Sequence, residues 1–192
     1  MEKNRLEAFS DAVIAIIMTI MVLELRIPQG SDLTALRPLL PIFLAYVLSF
    51  IYLGIYWNNH HHMLQATKHV NGKVLWANLH LLFWLSMVPF VTGWMGENHF
   101  AALPSGIYGF VLLMCAGSYT LLQSTIMHHD DGENKLLAEA VGNDLKGKAS
   151  MVLYVVAIPL AFVHANIAHA IFAAVALMWL IPDRRIEKKI AE

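Results

Sequence analysis

Cysteine is nearly absent. Cys115 is the single one in 192 residues, so no disulfide can close within the chain and no thiolate cluster can hold a metal. Charge is scarce as well. Only 14% of the residues are Asp, Glu, Lys or Arg, against about 25% in a soluble globular domain. The formal net charge is −1 with neutral histidines, which excludes the basic surface that a nucleic-acid partner requires. Internal repeats are missing, because the early and late apolar segments share no pattern. The ten-residue alternating segments of a transmembrane barrel are missing too. So is an arginine-rich helix of the voltage-sensing kind.

What remains is apolar. Hydrophobic residues make up 58% of the chain, and they gather in long runs with the charges between them. A helix needs about 20 mostly apolar residues to cross a bilayer, and lipid offers no partners for backbone polar groups outside a helix or a closed barrel. The expectation is an all-α, polytopic membrane protein with six spans near 6–25, 40–58, 74–95, 104–126, 147–164 and 166–182. The last two are joined by almost nothing and must form an antiparallel hairpin. The first run has basic residues ahead of it, as a signal peptide would. It also contains Asp11 and Glu24 and lacks a small-x-small cleavage site, so it reads as a retained helix.

Lysine and arginine set the orientation. Eleven of them (Lys3, Arg5, Lys68, Lys73, Lys135, Lys146, Lys148, Arg184, Arg185, Lys188 and Lys189) fall on one side, and only Arg26 and Arg37 fall on the other. Both termini, the 59–73 loop and the 127–149 loop are therefore expected in the cytoplasm of a multi-pass cell-membrane protein. The whole of 1–192 reads as one domain, with a cytoplasmic loop at 127–149, a short helix within it near 133–141, and a basic cytoplasmic tail at 183–192.

Polar residues inside spans are costly and need partners. Asp11 lies six residues beyond Arg5, about 9 Å deeper along the helix axis. It reads either as an ion or proton site or as an anchor paired with Arg5 or with another helix, and the pairing rule favours the anchor. Trp57, His60, Asn78 and His80 fall at the same depth, so a polar network tying the first three helices is expected. His60, His61 and His62 invite a metal reading. Consecutive helical residues point about 100° apart and cannot all face one ion, and His128 and His129 supply only a second small group. A polar membrane-edge belt beside Tyr56 and Trp57 is the simpler account, and no metal or other cofactor is expected.

On the first helix, Ile16, Ile20 and Leu23 form one stripe with Thr19 beside it. If several copies set this stripe around an axis, the aliphatic rings would make a constriction that closes by dewetting, and the Thr19 hydroxyls would offer oxygen to a partly dehydrated cation. Ordinary helix packing explains the same spacing and is the default.

The opening Arg5-Leu6-Glu7-Ala8-Phe9-Ser10-Asp11, followed by an apolar helix and Pro28, resembles the transmembrane-protein-175 family of potassium channels. Arg5, Phe9, Ser10 and Asp11 match its hallmark motif. Trp57 with His60 and His61, Asn78-Leu79 and Pro89-Phe90 follow in the family's order. The resemblance implies a homotetramer in a lipid bilayer that passes monovalent cations, with permeant potassium ions in place of any cofactor, and no enzyme. It implies a pore lined by the first helix, with Ile16 at the constriction, Ile20 and Leu23 as the next layers, and Thr19 linked to selectivity. It also implies that the Phe-Ser-Asp motif packs and hydrogen-bonds the helix to its neighbours. No Thr-Val-Gly-Tyr-Gly carbonyl filter is present, so moderate selectivity for potassium over sodium would come from side chains. A proton-coupled or proton-leaking transporter using Asp11 and His80 is the alternative.

Overall fold

A computed structural model describes residues 3–65, 67, 70–128 and 144–180. Most of the 127–149 loop, the short helix expected near 133–141, Lys68, His129 and the whole 183–192 tail lie outside the described residues.

Among the described residues the chain is all helix and connection. Helix α1 spans Lys3–Ile20 and tightens into a 3₁₀ turn at Met21–Glu24. A second 3₁₀ segment, Leu33–Leu39, leads into α2, Leu40–Gln65. Then come α3 (Gly72–Ser86), α4 (Val88–Glu97), α5 (Ala102–His128), α6 (Leu145–Val163) and α7 (Ala165–Leu180).

Among the described residues five stretches are long and apolar enough to cross a bilayer: Lys3–Glu24, Leu33–Gln65, Gly72–Glu97, Ala102–Met127 and Leu145–Val163. The sixth expected span is apolar and is described over the 16 residues Ala165–Leu180; residues 181 and 182 lie outside the described set.

The second helix runs past its expected end at 58 to Gln65. Asn and His have modest helix propensity but do not break a helix, and the extra turns reach back to α1. The third span is not continuous. It is interrupted at Met87, with Pro89 in the first turn of α4. Proline has no N–H to give, and its ring collides with the carbonyl four residues earlier, so the helix restarts there.

Helix α5 is central and packs against α3, α4, α6 and α7, while α1 lies against α2 and α3. The core between them holds Tyr52, Tyr108, Tyr154 and Phe172, all at most 2% exposed. The Tyr52 and Tyr108 hydroxyls are satisfied inside. Ser49 and Tyr108 share a hydrogen bond of 2.9 Å, the Thr92 hydroxyl reaches Ser49 Oγ at 2.7 Å, and the Tyr52 hydroxyl donates to the Phe172 carbonyl. Each such bond between membrane helices contributes about 0.6–2 kcal/mol.

Helices α2 and α4 approach closely at Gly96. A methyl group there would lie 2.6 Å from the Cα of Ile42, so only glycine fits. The connection from α4 to α5 turns through left-handed backbone at His99 (φ 50°) and Phe100 (φ 61°). The His99 N–H bonds the Gly96 carbonyl and the Phe100 N–H bonds the Met95 carbonyl, which satisfies carbonyls left over at the helix end.

Candidate functional site

Helix α1 has two faces. Leu6, Ser10, Ile14 and Ile17, followed by Met21 in the 3₁₀ turn, recur at helical spacing and are all at most 4% exposed. The other face is uncovered within the protomer. Ile16 is 56% exposed, Ile20 42% and Leu23 77%, and Thr19 lies exposed among them. The Thr19 hydroxyl donates to the Ile16 carbonyl at 2.9 Å. Its proton is thus committed to the backbone, which leaves oxygen lone pairs on that bare face.

The buried face is fixed by polar groups in its first turns. Ser10 Oγ donates to the Leu6 carbonyl at 2.8 Å and accepts the Asn78 side-chain N–H at 2.9 Å. The Asn78 carbonyl oxygen lies 2.7 Å from His60 Nε2. Since that oxygen can only accept, the His60 proton sits on Nε2. Ser10, Asn78 and His60 are completely buried, and among the described residues His60 Nδ1 has no hydrogen-bond partner. One hydroxyl, one amide and one imidazole therefore join α1, α3 and α2.

Asp11 is held separately. Trp57 Nε1 on α2 donates to its Oδ1 at 3.1 Å. Two further ties close the same end. His61 Nδ1 lies 2.9 Å from Glu7 Oε1, and the Lys3 ammonium donates to the Gln65 carbonyl at 3.1 Å. Sequence reasoning did not single out Glu7, Lys3 or Gln65 for this role. Glu7 follows Lys3 by four residues on one helix face, but only the length of α2 brings His61 and Gln65 alongside.

Three expected participants stand apart. Arg5 is exposed and forms no ion pair among the described residues, so it is not the partner of Asp11. Phe9 is 48% exposed, so within the protomer the motif's packing falls to Ser10 and Asp11. His80 is exposed and accepts the Trp84 indole N–H at 3.2 Å, one turn along its own helix. It takes no part in the Ser10–Asn78–His60 group. Among the described residues no three His, Cys, Asp or Glu side chains gather as a metal ligand set.

Several apolar helices around one packed interior define a multi-pass α-helical membrane protein. Comparison with known proteins narrows the class. Residues 5–89 match the family described as endosomal/lysosomal potassium channel TMEM175. A potassium channel of Chryseobacterium sp. (strain P1-3) is 55% identical over 192 residues, covering 100% of both chains. The crystal structure of a lysosomal potassium-selective channel TMEM175 homologue from Chamaesiphon minutus superposes with a TM-score of 0.82 at 26% identity, covering 95% of this chain and 98% of that one. The endosomal/lysosomal proton channel TMEM175 of Danio rerio is 26% identical over 179 residues, 88% of this chain and 33% of that protein. The chain belongs to the TMEM175 family, a family of ion channels and not of enzymes.

Proposed function

We propose that the chain is one subunit of a homotetrameric potassium channel, with residues 1–192 forming a single six-helix domain and both ends in the cytoplasm of a cell-membrane protein. The observation that carries this reading is the bare stripe on α1. Ile16, Ile20 and Leu23 are large aliphatic residues exposed on a helix whose opposite face is fully packed. In a tetramer the stripe lines the axis, and Ile16 forms a constriction that shuts by expelling water. The outward lone pairs of Thr19 favour a partly dehydrated cation and give moderate preference for potassium over sodium. The full-length relative named as a potassium channel supports the same ion.

The test is flux in liposomes containing the purified protein, with potassium on one side and sodium on the other. A diffusion potential set by potassium is expected. Ile16→Asn should hydrate the constriction and raise the conductance severalfold. A current unchanged by Ile16→Asn would remove Ile16 from the pore. Flux that appears only under a proton gradient would instead favour the proton-coupled or proton-leaking reading through Asp11 and His80; the animal relatives are named as proton channels.

A further inference from the structure

Glu24 closes the 3₁₀ turn at the far end of α1, the end away from the chain's N-terminus. Its side chain lies against Gly93 of α4, where a methyl group would sit 2.8 Å from Glu24 Oε2. Among the described residues the Glu24 carboxylate has no hydrogen bond and no ion pair. The neighbouring acid differs. Glu97, one turn beyond Gly93, is held by Arg26 at 2.7 Å.

A carboxylate at this position works against local electrostatics. The C-terminal end of a helix is its negative pole, where a lysine or arginine is stabilising and an acid unfavourable. Helix stability therefore does not account for Glu24. The balance of this face is negative. The described residues in 24–39, 97–101 and 164–166 include Glu24, Asp32 and Glu97 against Arg26 and Arg37, so one negative charge per protomer is left over. Asp32 keeps its charge readily, because the Thr34 hydroxyl bonds its carboxylate at 2.7 Å and holds its carboxyl below the usual value.

We infer that Glu24 is the fixed negative charge that gathers monovalent cations at this mouth of the pore, and that Gly93 is the residue that positions it. The inference rests on the reading that α1 lines the pore. Leu23, the neighbouring residue, is 77% exposed on the stripe, so the charge is one residue along the chain from the proposed pore lining, and 0.1 M salt transmits a field over about 10 Å. It acts through space and needs no direct coordination of the ion.

Single-channel conductance of the reconstituted protein in about 0.1 M and about 1 M potassium chloride tests this, since the screening length falls from about 10 Å to about 3 Å. Glu24→Gln should lower conductance about threefold at the lower salt and leave it unchanged at the higher. Glu24→Asp should retain most of it. Gly93→Ala, which displaces the carboxylate without removing it, should give an intermediate loss at low salt. Equal conductance of Glu24→Gln and wild type at both concentrations would overturn the inference. An equal fractional loss at both would do the same, because it would mark a structural role. If the wild-type pore is shut, the series is made in the Ile16→Asn background. A background that conducts without any effect of Glu24 overturns this inference alone, and one that passes no ion overturns the pore reading with it.

Discussion

Asn78 is the residue on which three helices converge. Its amide donates to Ser10 and accepts from His60 with no water available to either. Asn78→Ala removes both bonds: the Ser10 hydroxyl keeps its bond to the Leu6 carbonyl but loses its donor, and the buried His60 N–H loses its acceptor, at a cost of about 2–4 kcal/mol. Chemical or thermal unfolding in detergent should show this loss, while Asn78→Asp, which keeps an acceptor for His60, should recover part of it. Wild-type stability in Asn78→Ala would mean that the network is ornamental. The sequence exposes this site well, since a serine, an aspartate and an asparagine inside apolar runs must find partners. It exposes the pairings poorly. Asp11 has Arg5 as its near neighbour in sequence, yet its partner is Trp57 from the next helix. Glu24 shows the same gap. A charge at that position is visible in the sequence, but its lack of a partner emerges only when α4 delivers Gly93 rather than a cation.

At the scale of elements, the helices follow from length and apolarity, and the interruption at Met87 follows from the stereochemistry of Pro89. The sequence alone places Pro89 within a continuous span. What shows the break to be tolerable is packing, because α4 restarts directly against α2. The contact there is measurable. Gly96→Val would place branched carbons on the Ile42 backbone, where even a methyl group sits at 2.6 Å. The collision is with main chain and cannot be relieved by a side-chain rotation. The protein should lose several kcal/mol of stability, read as aggregation during size exclusion. A monodisperse Gly96→Val protein with a normal melting profile would refute the close approach of α2 and α4. The hairpin of α6 and α7 is the clearest case of legibility. Only His164 separates the two helices, and so short a link permits no arrangement but antiparallel neighbours.

At the scale of the molecule, the protomer leaves much of its apolar surface uncovered. Trp76 is 75% exposed and Phe83 55%, in addition to the α1 stripe. Lipid can cover some of this, whereas on the proposed reading Ile16, Ile20 and Leu23 face an axis shared with other copies. The mass of the detergent-solubilised protein, measured by light scattering with the detergent subtracted, should correspond to four copies of the 21.5 kDa chain. A monomeric mass under conditions that preserve flux would exclude a pore on the α1 axis. The number of copies is not legible in one chain's sequence, because an exposed aliphatic stripe reads the same whether it meets lipid, a partner or a water-filled axis.

Helix α1 is clamped at one end. Its polar ties, through Lys3, Glu7, Ser10 and Asp11, all fall in the first three turns. Beyond Asp11 the helix itself is held by apolar contact, and the next polar tie is the exposed Arg26–Glu97 pair past its far end. A rod fixed this way behaves as a cantilever, and its displacement grows with distance from the clamp. Ile16 lies about 7.5 Å beyond Asp11 and Leu23 about 18 Å beyond it, at helical rise. A tilt of about 10° would therefore carry Leu23 by roughly 3 Å but Ile16 by little more than 1 Å. One small rotation about the Phe-Ser-Asp turns, with the exposed Arg26–Glu97 pair giving way, would widen the far mouth while the ring nearest the pivot stays narrow.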